Sequence, residues 1–135
     1  MENEMSPPRK PRALVVDDLP DSAESLKMLL EHAGWSVDVA ADGIEALRLA
    51  NVSHPRLILL DISMPKLDGF DTCGVLRAQP WAAGTHMIAV TGHSMDEVEE
   101  RARKVGFDAF LLKPVDPEEL LETARRLAGP ESLQA

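Results

Sequence analysis

The chain has 135 residues, 44% of them hydrophobic, and 23 acidic against 14 basic side chains give a net charge of −9. This length fits one domain with a buried core, and the negative charge argues against direct binding to a nucleic-acid backbone. No apolar run is long enough to cross a membrane, and the N-terminus lacks the apolar core of a signal peptide. The single cysteine, Cys73, cannot form an internal disulfide, which is typical of a reducing cytoplasm.

Composition also divides the chain. Three prolines and several charges among the first 11 residues predict a disordered tail over residues 1–11. One domain is predicted over residues 12–129, because Gly129 and Pro130 end the last helical pattern. Residues 130–135 form a short C-terminal tail in this interpretation.

Short apolar runs alternate with longer amphipathic segments five times along the chain. Continuous apolar runs are typical of strands buried on both faces, and apolar residues three or four apart are typical of helices. In the second helix we expect Ile44, Leu47 and Ala50 to face the core. The pattern predicts strands at residues 13–16, 37–39, 57–60, 87–90 and 110–112, and helices at about 20–33, 43–50, 66–78, 95–105 and 117–128.

Five strand and helix pairs in this order predict an α/β fold with right-handed crossovers. We expect a doubly wound, five-stranded parallel sheet with strand order 2-1-3-4-5 and helices on both faces, the flavodoxin-like (βα)5 arrangement.

Four of the five predicted strands are followed by a notable polar residue. Asp17 and Asp18 follow the first strand, Asp61 the third, Thr91 the fourth and Lys113 the fifth. Because the carboxyl ends of parallel strands lie at one edge of the sheet, these side chains are expected to converge there. Strand order 2-1-3-4-5 would place the acidic pair beside Asp61.

This set of side chains suits phosphoryl chemistry. Three neighbouring carboxylates repel one another by up to about 4 kcal/mol per pair, and Mg²⁺ with its water ligands would relieve that repulsion. Lys113 offers a point charge to a phosphate oxygen and Thr91 a hydroxyl, so the set supports phosphoryl transfer to a carboxylate oxygen. A purely structural alternative, separate strand caps and salt bridges, explains each residue but not why four strands end this way.

The same positions carry a family resemblance. The chain resembles the receiver domain of two-component response regulators, of the single-domain chemotaxis (CheY-like) type, over about residues 12–128. The motifs that carry the resemblance are Asp17–Asp18 after the first strand, Asp61 with Met64–Pro65 and Asp68–Gly69 after the third, Thr91–Gly92 after the fourth and Lys113–Pro114 after the fifth.

The resemblance implies a phosphoacceptor and a metal site. Asp61 would accept a phosphoryl group from a phosphohistidine of a histidine kinase or a histidine phosphotransfer protein. Asp18 and Asp61 would ligate Mg²⁺ directly, Asp17 would act through water, and Ser63 would contribute its backbone carbonyl.

The resemblance also implies a switch. Lys113 would pair with the acyl phosphate, and its bond to Pro114 is expected to be cis. Thr91 and Phe110 would rearrange on phosphorylation and change a surface formed by the fourth helix, fifth strand and fifth helix, which would bind a downstream protein.

Two positions could tune the lifetime of the phosphoryl group. Ser63 and His93 would border the path of the hydrolytic water, and we expect His93 to lie in solvent rather than act as a base. The switch aromatic is Phe110 rather than Tyr, so no phenolic hydroxyl can report the active state through a hydrogen bond.

Together these expectations describe a stand-alone cytoplasmic receiver, a monomer or weak dimer. It would be a signalling domain rather than an enzyme, with self-phosphorylation and autodephosphorylation as its only reactions. A receiver excised from a hybrid histidine kinase, a phosphorelay shuttle and a phosphate sink stay open as alternatives. The residues do not name the cognate kinase or the target.

Two interpretations belong to other classes. A metal-dependent phosphatase of the haloacid-dehalogenase type has its nucleophilic Asp after the first strand and a second Asp two positions later, whereas Asp17 and Asp18 are adjacent here. A flavodoxin-like cofactor domain needs a glycine-rich or hydroxyl-rich phosphate loop, and the first turn, residues 18–22, is acidic instead.

Overall fold

Five parallel strands alternate with five helices along the chain, in a computed structural model that describes residues 10–63, 69–92 and 95–128. A short 3₁₀ helix, Pro80–Gly84, precedes the fourth strand. The elements are β1 (Arg12–Val16), α1 (Pro20–His32), β2 (Ser36–Ala40), α2 (Gly43–Ser53), β3 (Leu57–Asp61), α3 (Gly69–Arg77), β4 (His86–Thr91), α4 (Met95–Val105), β5 (Ala109–Leu112) and α5 (Pro117–Ala128).

The strands form one sheet of order β2-β1-β3-β4-β5, with every neighbouring pair parallel. This confirms the predicted strand order and the doubly wound α/β class. Val16 of β1 lies opposite Leu60 of β3, so Asp17 and Asp61 come next to each other at the carboxyl end of the sheet.

Each face of the sheet packs into its own hydrophobic core. Alternate residues of β1 point to opposite faces, so Ala13 and Val15 join the core under α1 and α5, while Leu14 and Val16 join the core under α2, α3 and α4. All five residues of β3 are buried. The central strand is therefore covered on both faces, which explains its unbroken apolar sequence.

Side-chain caps begin two of the helices. The Asp42 side chain accepts the Glu45 N–H at 2.7 Å, and the Glu45 carboxylate accepts the Ala41 N–H at 3.0 Å. Asp116 accepts the Glu118 N–H at 3.0 Å at the start of α5. These bonds satisfy backbone N–H groups at the helix start, which have no carbonyl partner inside the helix.

One predicted core position is wrong. Ile44 is 86% exposed, while Ala46 and Ala50 are the buried residues of α2. Successive helical residues are about 100° apart, so with Ala46 facing the sheet, Ile44 lies on the opposite side of the helix. The small alanines allow α2 to lie close to the sheet.

The two glycines of α3 differ in their surroundings. A Cβ on Gly69 would lie 2.6 Å from Ile62 Cγ2, whereas a Cβ on Gly74 would have nothing within 4 Å. Gly69 therefore permits the close approach of α3 to the segment after β3. The first predicted turn of this helix, residues 66–68, lies outside the described residues.

Arg77, at the end of α3, joins several elements at the amino end of β4 and β5. Its Nε donates to the Gly106 carbonyl at 2.9 Å, and its Nη1 donates to the carbonyls of Ala82 and Thr85 at 3.0 and 2.6 Å. Its Nη2 pairs with Asp108 at 2.7 Å. We call Arg77 and these partners the Arg77 cluster.

The predicted tails lie largely outside the part of the chain that the structure describes, which begins at residue 10 and ends at residue 128. The domain bounds of residues 12–129 therefore stay a prediction. Among the described residues, no helix has both the length and the hydropathy that a membrane span requires.

Candidate functional site

The carboxyl end of the sheet holds buried polar side chains. Asp17 and Asp61 are 2% and 3% exposed, and Thr91, the last residue of β4, is buried as well. Asp18 and Lys113 are half-buried at the same edge. Buried carboxylates need hydrogen-bond donors or cations around them, and both aspartates have such partners.

Asp61 uses both carboxylate oxygens. Its Oδ1 accepts the backbone N–H of Ser63 at 2.8 Å and the Ser63 hydroxyl at 2.6 Å. Its Oδ2 pairs with the Lys113 ammonium group. Lys113 reaches this position because its backbone N–H donates to the Thr91 carbonyl at 2.8 Å, which continues the pairing of β5 with β4.

Asp17 is held by the start of α1. The Leu19 N–H donates to Asp17 Oδ1 at 3.0 Å, and the Ser22 hydroxyl donates to Oδ2 at 2.5 Å. Ser22 is not among the predicted site residues. A sequence signal for this contact does exist: Ser22 lies in the first turn of a helix that begins just after the acidic pair.

Two further predicted site residues lie in β5 and directly after it. Phe110 is half-buried in β5, opposite Ala89 of β4. The Lys113–Pro114 bond is cis. His93 lies outside the described residues, and its role stays a prediction.

The oxygen donors at this edge suit a hard cation. Among the described residues, no three His, Cys, Asp or Glu side chains are grouped as a metal site. Mg²⁺ does not require such a cage, because it binds through one or two carboxylates and keeps several waters. The donor set therefore fits Mg²⁺.

The fold and the site together define a class of protein. Its members are doubly wound five-stranded domains with an acidic pair and a buried, lysine-paired aspartate at the carboxyl edge of the sheet. Residues 13–125 match the family described as response regulator receiver domain. The chain belongs to this family, whose members are signalling domains of two-component systems rather than classical enzymes.

Curated relatives include proteins of similar and of greater length. An uncharacterized 14.6 kDa protein of Leptolyngbya boryana is 39% identical over 113 residues, or 84% of this chain and 86% of the relative. The DNA-binding dual master transcriptional regulator RpaA of Synechocystis is 37% identical over 117 residues, or 87% of this chain and 48% of RpaA. The chain thus spans about half the length of such relatives.

Solved structures share the whole fold. Chemotaxis protein CheY4 of Vibrio cholerae is 32% identical, with a TM-score of 0.84 over 88% of this chain and 99% of that chain. The receiver domain of sensor histidine kinase PA1611 of Pseudomonas aeruginosa has magnesium coordinated in its active site cleft. It is 30% identical, with a TM-score of 0.80 over 90% of this chain and 99% of that chain. These likenesses confirm the predicted family and fold.

Proposed function

We propose that this chain accepts a phosphoryl group on Asp61, with Mg²⁺, from a phosphohistidine of a histidine kinase or a histidine phosphotransfer protein. One observation carries the proposal: Asp61 is a buried strand-end carboxylate with Ser63 on one oxygen and Lys113 on the other. Such an arrangement fixes the direction of the carboxylate and provides a cation beside it.

In the proposed reaction, an Asp61 oxygen forms a bond to phosphorus while the phosphorus–nitrogen bond of the phosphohistidine breaks. The electron pair of that bond stays on the imidazole nitrogen, and the product is an acyl phosphate on Asp61. Little other covalent chemistry is needed, so the protein contributes positioning and charge. Lys113 can move from the carboxylate to a phosphoryl oxygen, because an ammonium group on a flexible stem is a movable point charge.

The cation would be held by oxygen ligands. Asp18 and Asp61 would bind Mg²⁺ directly, together with the Ser63 backbone carbonyl, and Asp17 would bind through water. Both Asp17 oxygens already accept hydrogen bonds from α1 and the residues before it, which supports the water-mediated role. When bound, Mg²⁺ supplies positive charge to the phosphoryl oxygens.

Output would pass through the surface of α4, β5 and α5. In this proposal Thr91 and Phe110 rearrange after phosphorylation and change how that surface binds a downstream protein. Leu112 is 49% exposed on β5, which gives the surface an apolar contact point. Ser63 and His93 would border the hydrolytic water and set the rate of autodephosphorylation.

We further propose that the protein acts in the cytoplasm as a monomer or weak dimer. A phosphorelay receiver, as a shuttle, a phosphate sink or a domain from a hybrid kinase, is the second candidate. The likeness to the receiver domain of a sensor histidine kinase favours that candidate.

The test is to incubate the protein with acetyl phosphate and follow its intact mass. We expect a gain of one phosphoryl group with Mg²⁺, none without Mg²⁺ and none in Asp61→Asn. Asp42→Asn is the matched control, because asparagine keeps the cap of α2, and it should be labelled like wild type.

Equal labelling of Asp61→Asn and wild type would refute Asp61 as the acceptor. Absence of labelling of the wild type, by acetyl phosphate and by phosphohistidine donors under conditions that label CheY4, would refute the function itself.

A further inference from the structure

The described C-terminal part of helix α4, residues 99–105, contributes little to the core. Among residues 99–105, whose side chains the structure describes, Ala102 is the one fully buried residue. This segment therefore offers little buried apolar area, to which stabilisation by burial is proportional.

The C-terminal end of α4 is anchored. The Gly106 carbonyl accepts Arg77 Nε at 2.9 Å, and Cys73 Sγ lies 3.6 Å from the Val105 carbonyl oxygen. A displacement of α4 would therefore pivot about this end.

Two arginines of α4 contact aromatic rings on neighbouring elements. The Arg101 guanidinium carbon lies 4.1 Å from the ring centroid of Phe70 on α3, and that of Arg103 lies 5.6 Å from the ring centroid of Phe110 on β5. Both distances are within the range of cation–π attraction. These contacts supplement the burial of Ala102 in this segment.

The Arg103 contact has an orienting partner. Glu99 Oε1 lies 2.7 Å from Arg103 Nη2, one helical turn earlier. This pair limits the rotamers of Arg103 and favours the position over the ring. Phe110 has no hydroxyl group, so its position can be held only by contacts of its ring.

We propose that Arg103 is a positioning residue of the switch: oriented by Glu99, it holds the Phe110 ring in the resting arrangement and ties β5 to α4. The inference rests on the proposed function, in which Phe110 moves after Asp61 is phosphorylated. Since the ring cannot move without breaking this contact, Arg103 opposes activation. Removing its charge should shift the resting equilibrium towards the active arrangement by about two- to fivefold.

The chain contains three phenylalanines, so protein labelled with 4-fluorophenylalanine gives three fluorine resonances that Phe→Leu variants assign. Spectra are recorded with and without Mg²⁺ and beryllofluoride, a mimic of an acyl phosphate. The variants are Arg103→Met, Arg103→Lys and, as the matched control, Arg101→Met. Urea unfolding of each variant checks that it is folded.

We expect Arg103→Met, without ligand, to move the Phe110 resonance towards its beryllofluoride position and to raise the apparent affinity for beryllofluoride about two- to fivefold. Arg103→Lys should lie between this variant and wild type. Arg101→Met should move the Phe70 resonance and leave that of Phe110 in place.

The inference is overturned if the wild-type Phe110 resonance responds to beryllofluoride but Arg103→Met behaves like wild type. It is equally overturned if Arg101→Met moves the Phe110 resonance as much as Arg103→Met does. A wild type that shows no response to beryllofluoride overturns the proposed function as well, so the two failures are distinguishable.

Discussion

Two ion pairs lie at opposite ends of the same sheet and serve different purposes. At the carboxyl end, Lys113 pairs with Asp61, and at the amino end Arg77 pairs with Asp108. The planar Arg77 guanidinium also donates to three backbone carbonyls, so one side chain fixes several loops. A lysine ammonium group is a point charge that can change partners, which suits the phosphoryl transfer that we propose for Asp61.

The two ends of the sheet also differ in their balance of charges. The Arg77 cluster matches one guanidinium with one carboxylate and with carbonyl oxygens. At the carboxyl end, Asp17, Asp18 and Asp61 follow neighbouring strands, and Lys113 pairs with Asp61. Excess negative charge at one place opposes folding and favours a divalent cation. We infer that the Arg77 cluster stabilises the fold, whereas the carboxylates lower the stability of the edge that we propose binds Mg²⁺.

The largest expected effect comes from breaking the amino-end pair. Arg77→Met should lower the free energy of unfolding by about 2–4 kcal/mol, because Asp108 and three carbonyls lose a donor. Urea denaturation measures this loss, and the fraction that remains folded should still be labelled by acetyl phosphate. Arg48→Met is the control, since Arg48 is a 65% exposed partner of Glu45, and its loss should stay below about 0.5 kcal/mol. A loss below 1 kcal/mol for Arg77→Met would contradict the structural role.

A backbone change should test the same cluster. Gly106 has a φ of +121°, and a Cβ there would lie 2.7 Å from Arg77 Cγ. Gly106→Ala should therefore cost about 2 kcal/mol, measured by urea unfolding. Gly74→Ala, in the open part of α3, should instead stabilise the protein by about 0.5–1 kcal/mol. Equal effects of the two substitutions would show that the close approach of Arg77 to the backbone at position 106 does not require glycine.

The pH dependence of stability tests the surroundings of the Cys73 thiol, which include Arg77 and Asp108. Burial raises the pKa of its thiol to about 11, with opposing contributions from Arg77, which lowers it, and Asp108, which raises it. Because the folded-state pKa is above the unfolded-state value of 9.0, this contribution to stability is complete well below pH 9 and is lost progressively as pH rises towards 11. The free energy of unfolding should fall by about 1 kcal/mol between pH 8 and pH 9.5. That fall should be absent in Cys73→Ala, and an identical pH slope in the two proteins would disprove it.

The smallest expected change in stability belongs to the carboxyl end. Asp61→Asn should alter the free energy of unfolding by less than about 1 kcal/mol, because loss of the Lys113 pair is offset by relief of repulsion from Asp17 and Asp18. The comparison is made by urea unfolding at low salt, where repulsion is least screened. A loss as large as that of Arg77→Met would mean that both ion pairs serve the fold alike.

Features that depend on near neighbours in the chain were predictable. The caps at Asp42 and Asp116 each bond to an amide two or three residues away, so a short stretch of sequence contains the whole interaction.

The strand order was also predictable. It followed, with the gathering of Asp17, Asp61 and Lys113 at one edge, from the alternation of strands and helices. Handedness and parallel pairing leave few other arrangements.

Other features were decided only by packing. Arg77 bonds to Asp108, 31 residues further along the chain, and Arg103 reaches Phe110 on another element. Ile44 faces solvent because Ala46 and Ala50 face the sheet. The sequence by itself thus determined the elements and their order, because periodicity and capping are local and handedness leaves few arrangements. The tertiary structure decided which long side chains meet, because that depends on the rotation and spacing of packed helices.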